Sequence, residues 1–170
     1  GFVRRGLLGE INYTIYEITG NFTNTFFAII FLLMYFFQII LFYFLLKKFK
    51  SFLFLTAAIL LSPAILLFNI YDLTAFMRKD IFFNVAILLH AFFISKLINS
   101  QFDLNGYKKN LLIIIIPFLF INIFIHEVQI FFISFHLLLS YVAYEIKNQN
   151  FYKSNILKAY FVLLIPFFFS

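Results

Sequence analysis

"LLIIIIPFLFINIFIHEVQIFFISFHLLLSYVAYEI", residues 111–146, decides how often this chain crosses an apolar layer. As one helix its 36 residues would run about 54 Å, at a rise of roughly 1.5 Å per residue. A bilayer core of about 30 Å needs roughly 20 residues. The stretch is too long for one crossing and long enough for two. His126-Glu127 lies near its middle, so a turn is expected there, between spans 111–125 and 128–146. The first of these is short and contains Pro117, and no Gly or Asn stands at the turn.

The rest of the chain is equally apolar. Of 170 residues 64% are hydrophobic and 30 are Phe, with a mean hydropathy of +1.01. Soluble domains are closer to half apolar, and a small soluble fold has too much surface to hide this excess. Lipid is the solvent the composition asks for. Cys is absent, which excludes a disulfide framework and thiolate metal sites. Trp is absent too, so Tyr must supply the interfacial aromatics. The weighting toward Phe, Ile, Lys, Asn and Tyr is also that of an AT-rich bacterial genome. The net charge of +6 is spread over short loops between apolar runs, so it reads as membrane orientation rather than nucleic-acid binding.

Further apolar runs cover 26–46, 52–71, with Ser62-Pro63 as an expected kink, and 81–98. A polar loop is expected over 99–110, and a last run starts at 156. The expected fold is all-α: a single transmembrane domain over 1–170, a polytopic helix bundle of five full spans and a truncated sixth (156–170). The chain opens on Gly1 and the last run stops at Ser170, so a segment of a longer polytopic protein is expected.

Orientation follows from counting loop charges. With Lys47 in the cytoplasm, one side holds Lys47, Lys48 and Lys50; Lys96, Asp103, Lys108 and Lys109; and Glu145, Lys147, Lys153 and Lys158. These loops carry +3, +2 and +2. The other side holds Arg4, Arg5, Glu10 and Glu17; Asp72, Arg78, Lys79 and Asp80; and Glu127, at 0, 0 and −1. Every uncompensated basic loop falls on one side, as the positive-inside rule demands. The expected location is the bacterial inner membrane, with the N-terminus of this segment extracytoplasmic. Nine of ten Lys are then cytoplasmic and all three Arg are outside. Arg carries a planar fork suited to phosphate or carboxylate.

Three constellations carry chemistry. In the outer charge cluster, Arg4, Arg5, Arg78 and Lys79 suit a phosphate or pyrophosphate, while Asp72, Asp80 or Glu127 suit a base. The plainer reading is that Asp72 and Asp80 cap helices and that Arg78 and Lys79 reach toward headgroups. His126-Glu127 is either a general acid/base pair or a polar turn. It is no zinc-protease motif, because Val128-Gln129-Ile130 lacks the second His, and no metal site is expected. The third set lies at membrane depth: Asn84 and Asn122 about one turn in, Gln38, His90 and His136 near the middle. These residues form either a polar channel or proton relay, or hydrogen-bond glue between helices.

Residues 2–9, "FVRRGLLG", and 62–80, "SPAILLFNIYDLTAFMRKD", resemble segments of a large group of multi-span bacterial membrane proteins. That group is similar to surface-polysaccharide (O-antigen) polymerases and to glycosyltransferases that use polyprenyl-linked sugars. The resemblance implies a function in cell-surface glycan assembly, transferring or polymerising sugars from a polyprenyl-pyrophosphate carrier on the extracytoplasmic face. It implies that Arg4, Arg5 and Arg78 bind the diphosphate and that Asp72, Asp80 or Glu127 activates the acceptor, assisted by His126. The expected partners are the lipid bilayer and a polyprenyl-linked sugar. Two alternatives stay open: a transporter or flippase for lipid-linked or anionic solutes, in which Gln38, His90 and His136 line one cavity, and a non-catalytic membrane subunit.

Overall fold

A computed structural model describes residues 6–20, 24–47 and 80–164. Its helices are α1 (Gly6–Thr19), α2 (Asn24–Leu46), α3 (Asp80–Ile98), α4 (Leu104–Ile125), α5 (Ile133–Ile146) and α6 (Asn155–Val162). No strand occurs among the described residues. Four stretches are long and apolar enough to cross a membrane: Phe26–Leu46, Asp80–Ile98, Leu104–Ile125 and Gln129–Ile146. Large apolar side chains such as Phe26, Leu33, Phe36, Ile113 and Leu138 lie exposed on them. Water would penalise such faces and lipid does not. The chain is an all-α membrane protein with several spanning helices. The expected span 52–71 and the end of 156–170 lie outside the described residues.

The expected turn at His126 is present, and the chain makes it without Gly. His126 takes an extended conformation (φ −153°, ψ 105°) directly after α4. Its N–H bonds the carbonyl of Asn122 at 2.9 Å, and its own carbonyl accepts from Gln129 N–H at 2.9 Å. A 3-10 helix, Glu127–Phe132, then leads into α5. One extended residue between two helical segments reverses the chain.

The short span expected at 111–125 is longer than the sequence suggested. α4 starts at Leu104, inside the expected polar loop, and its 22 residues span about 33 Å. Asp103 caps it, accepting the Gly106 N–H at 2.7 Å. A Cβ on Gly106 would sit 2.9 Å from that carboxylate oxygen, so glycine keeps the cap accessible. Pro117 is absorbed by a π-helical turn, Leu111–Ile115, in which the Ile116 N–H reaches back five residues to Leu111 O. A wide turn ahead of a proline relieves the clash its ring would make with the preceding turn. The N-terminal stretch forms α1, which packs on Ile116–Ile125.

Contacts along the helices fix their directions. Phe31 meets Phe82 at 5.6 Å and Phe44 meets Phe92 at 6.2 Å, so α2 and α3 run parallel. Asn122 donates to Phe82 O at 3.1 Å, and Tyr107 reaches His90, so α4 runs antiparallel to α3. Phe132 packs on Phe83 at 4.1 Å and His136 on His90 at 5.2 Å, which makes α5 parallel to α3. Phe151 against Tyr144, and Tyr160 against His136, fold α6 back along α5. The main core is built from Ala86, Phe93 and Leu97 of α3, Leu111, Ile115 and Leu119 of α4, Ala143 of α5 and Ile156 of α6.

This arrangement separates charge. Lys47, Lys96, Lys108, Lys109, Lys147 and Lys158 gather at one end of the bundle, with Asp103 and Glu145. Asp80 and His126 lie at the other, because Ile81, Phe82 and Ile125 share one apolar cluster with Phe31 and Tyr35. Two left-handed residues close helices at the lysine end. Ser100 (φ 56°) and Asn148 (φ 52°) each end a helix with paired backbone bonds, Ser100 N–H to Leu97 O with Gln101 N–H to Lys96 O, and Asn148 N–H to Glu145 O with Gln149 N–H to Tyr144 O. This is the Schellman arrangement, in which glycine is favoured. Ser100→Gly is therefore expected to raise stability by about 1 kcal/mol, and Asp103→Ala to lower it by about 1 kcal/mol. Thermal unfolding in detergent micelles checks both, and an Asp103→Asn variant close to wild type would identify the lost cap as the cause.

Candidate functional site

The buried polar residues converge in the middle of the bundle. His90 lies ten residues into α3, about 15 Å from its start. It shares a buried face with Phe82, Ala86, Phe93 and Leu97, the spacing of a helix stripe. Ala86, one turn away, is fully buried and lets α3 and its neighbours approach closely. On α5, His136 and Ser140 are four residues apart and face the same way. Tyr107 from the first turn of α4 and Tyr160 from α6 complete the group. His90, His136, Ser140 and Tyr107 are fully buried, and Tyr160 nearly so.

Five hydrogen bonds join them. His90 Nδ1 and His136 Nδ1 are 3.0 Å apart, with the rings stacked at 5.2 Å and tilted by 11°. His90 Nε2 lies 2.7 Å from Tyr107 Oη. Tyr107 Oη lies 3.3 Å from Ser140 Oγ, and Ser140 Oγ lies 2.9 Å from Tyr160 Oη. Tyr160 Oη–H donates to the His136 carbonyl at 3.0 Å.

The protons can be assigned from the partners. A carbonyl oxygen only accepts, so Tyr160 gives its hydrogen there. Ser140 must then donate to Tyr160, and Tyr107 to Ser140. Tyr107 Oη is left to accept from His90 Nε2–H. With its proton on Nε2, a neutral His90 presents a lone pair on Nδ1, and His136 donates to it through Nδ1–H. Each of the five side chains donates once, and the circuit both starts and ends on His136. His136 Nε2 is the remaining ring atom, and this buried nitrogen has no hydrogen-bond partner.

His90 and His136 were expected at mid-depth, and they touch. Their rings stack on one another between α3 and α5. Gln38 is fully buried on α2. Asn122 is also fully buried, its amide on Phe82 O and its Oδ1 unpaired; Asn84 is half-buried. Of the outer cluster, Asp80 is exposed in the first turn of α3, where a carboxylate suits the helix dipole. His126 is half-buried at the turn and Glu127 opens the 3-10 helix. Arg4, Arg5, Asp72, Arg78 and Lys79 lie outside the described residues. No group of three metal-ligating side chains occurs among the described residues.

Tyr107, Ser140 and Tyr160 were not anticipated. Tyr107 fell in the expected loop, and reading Asp103 to Gly106 as a helix cap would have placed it on the Leu111–Ile115 face. The His136–Ser140 spacing was visible, but nothing in the sixth run singled out Tyr160. No protein-family model matches the chain, and no curated protein or solved structure matches it significantly.

Five interhelical bonds at about 0.6 kcal/mol each in a membrane give a network worth about 3 kcal/mol. Truncating one histidine leaves the other ring short of its partner, which costs more than the bond itself. His90→Phe and His136→Phe should each destabilise, and the double variant should cost at least 1 kcal/mol less than their sum. A double-mutant cycle by thermal unfolding in detergent measures this. Additive losses would contradict a direct histidine–histidine bond.

Proposed function

We propose that this chain is part of a bacterial inner-membrane protein of cell-surface glycan assembly, acting on a polyprenyl-pyrophosphate-linked sugar at the extracytoplasmic face. The observation that supports this reading is the separation of charge along the bundle. Asp80 and His126, both expected in the acid/base role, lie at one end. Lys47, Lys96, Lys108, Lys109, Lys147 and Lys158 lie at the other, and a lysine-rich end is the cytoplasmic one under the positive-inside rule. The resemblance segment 62–80 ends on Asp80, with Arg78 and Lys79 just before it in sequence. In this reading Arg4, Arg5, Arg78 and Lys79 hold the diphosphate. Asp72, Asp80 or Glu127 takes the acceptor proton, and His126 assists.

The topology of five full spans and a partial sixth belongs to this proposal. It is supported by the parallel course of α2 and α3. α2 ends at the lysine end and α3 starts at the Asp80 end, and 52–71 is the apolar run between them in sequence. The chain has no native cysteine, so single cysteines report cleanly. In intact cells, Tyr13→Cys and Thr74→Cys should react with a membrane-impermeant maleimide, while Ser51→Cys, Ser100→Cys and Asn148→Cys should react only after permeabilisation. Labelling of Ser51→Cys and Thr74→Cys from the same side would remove the return crossing.

For the activity, Arg5→Ala, Arg78→Ala, Asp80→Asn and His126→Gln in the full-length protein should each reduce surface glycan about tenfold or more at unchanged protein level. A tenfold loss is about 1.4 kcal/mol of transition-state stabilisation, modest for a charged contact. Wild-type glycan in both arginine variants would rule the reading out. The second reading, a transporter or flippase of lipid-linked or anionic solutes, draws its support from the direct contact of His90 with His136 at mid-depth.

A further inference from the structure

The polar circuit has one property that hydrogen-bond glue does not require. Its direction is fixed by a group that cannot donate, the His136 carbonyl, and as a result the spare lone pair falls on one atom, His136 Nε2. Reversing the circuit would put a proton on that nitrogen with no acceptor. It would also leave the Tyr107–Ser140 contact or the Ser140–Tyr160 contact without a hydrogen between two oxygens. A neutral circuit therefore has one favoured state, with His90 protonated on Nε2 and His136 on Nδ1.

The same geometry decides where an additional proton goes. At His136 Nε2 it finds no acceptor but breaks no bond, since Nδ1–H still donates to His90 and all five bonds persist. At His90 Nδ1 it would set two N–H groups against each other across 3.0 Å. A second proton on the pair meets the same obstacle. We infer that His136 Nε2 is a one-proton binding site at mid-depth of the membrane, with the His90 ring as its partner and a stoichiometry of one per pair. The inference rests on the circuit alone and not on the glycan-assembly reading.

The surroundings define what the bound proton does. From α4 the titratable group facing the pair is Tyr107, and from α6 it is Tyr160. α2, which packs on α3, has no charged residue between Asn24 and Leu46 and brings Tyr35, Gln38 and Tyr43. The charged residues of the packed helices, Asp80 and Lys96 on α3, Lys108 and Lys109 on α4, Glu145 on α5 and Lys158 on α6, lie toward the helix ends. The added charge therefore sits on the His136 ring, and the His90 Nδ1 lone pair that accepts from His136 Nδ1–H is its partner. Occupancy favours any state that brings an anion or water to the pair, which couples proton uptake to the packing of α3 against α5.

The test is nitrogen-15 NMR of the histidine side chains, on the full chain in lipid nanodiscs. At neutral pH the expected pattern is one histidine in each tautomer, His90 with Nε2–H and His136 with Nδ1–H. On acidification a single proton should enter, at His136 Nε2, while His90 keeps its tautomer. Ser140→Ala, a small change, takes away the acceptor of Tyr107. Tyr107 then turns to His90 Nε2, and both tautomers should exchange, placing a proton on His136 Nε2 and weakening proton uptake at least tenfold, about one pH unit. Tyr107→Phe removes the bias, and both tautomer patterns should coexist. The inference is overturned by identical tautomers on both rings, by His90 taking the proton first, by neither ring binding a proton before the fold is lost, or by Ser140→Ala leaving the tautomers as they are.

Discussion

The carbonyl oxygen of His136 can accept hydrogen bonds and never give one. Everything about the buried circuit follows from that constraint. It orients Tyr160, then Ser140, then Tyr107, and through them both imidazoles. The same bonds tie α3, α4, α5 and α6 to one another at a single level. Apolar packing between Leu, Ile and Phe surfaces would tolerate sliding or rotation, because lipid and side chains are equally greasy to such faces. The polar level removes that freedom. It fixes which faces of the four helices meet, and the core of Ala86, Leu111, Ile115 and Ala143 packs around it.

Closure of the circuit depends on close helix approach. Ala86 sits one turn before His90 and Ala143 one turn after Ser140, both fully buried. Larger residues there would hold α3 and α5 too far apart for a 3.0 Å contact between ring nitrogens. Small residues and polar residues thus cooperate. The first set the distance and the second set the register.

Much of the fold was legible in the sequence because membrane thickness is a strict ruler. A mostly apolar run of 36 residues had to fold back, and His126-Glu127 near its middle marked the place. The turn itself was harder to read, since His126 alone provides it by becoming extended. The start of α4 was hidden for a different reason. Asp103, Asn105, Gly106, Lys108 and Lys109 look like a solvated loop, yet Asp103 caps a helix and Gly106 leaves it room. That misreading also concealed Tyr107. The pair His90 and His136 was legible as two polar residues at one depth. Their contact was not, because depth says nothing about which helix faces which. The outer cluster was read from charge alone, and of its members Asp80 and His126 come together at one end of the bundle.

The π turn in α4 has a consequence for how its two halves are phased. An extra residue in one turn of a helix shifts every side chain before it by about 100° relative to those after it. Asn122, beyond the turn, keeps its bond to the first turn of α3. Tyr107, before it, meets His90 because of that offset. The wide turn is in effect an adjustable joint between an upper anchor and a lower reader. Tightening Leu111–Ile115 into regular α-helix would rotate Tyr107 off the histidine while leaving Asn122 in place. The phase of the half nearer the lysines is thus what brings Tyr107 to the polar centre, while the other half holds its anchor on α3.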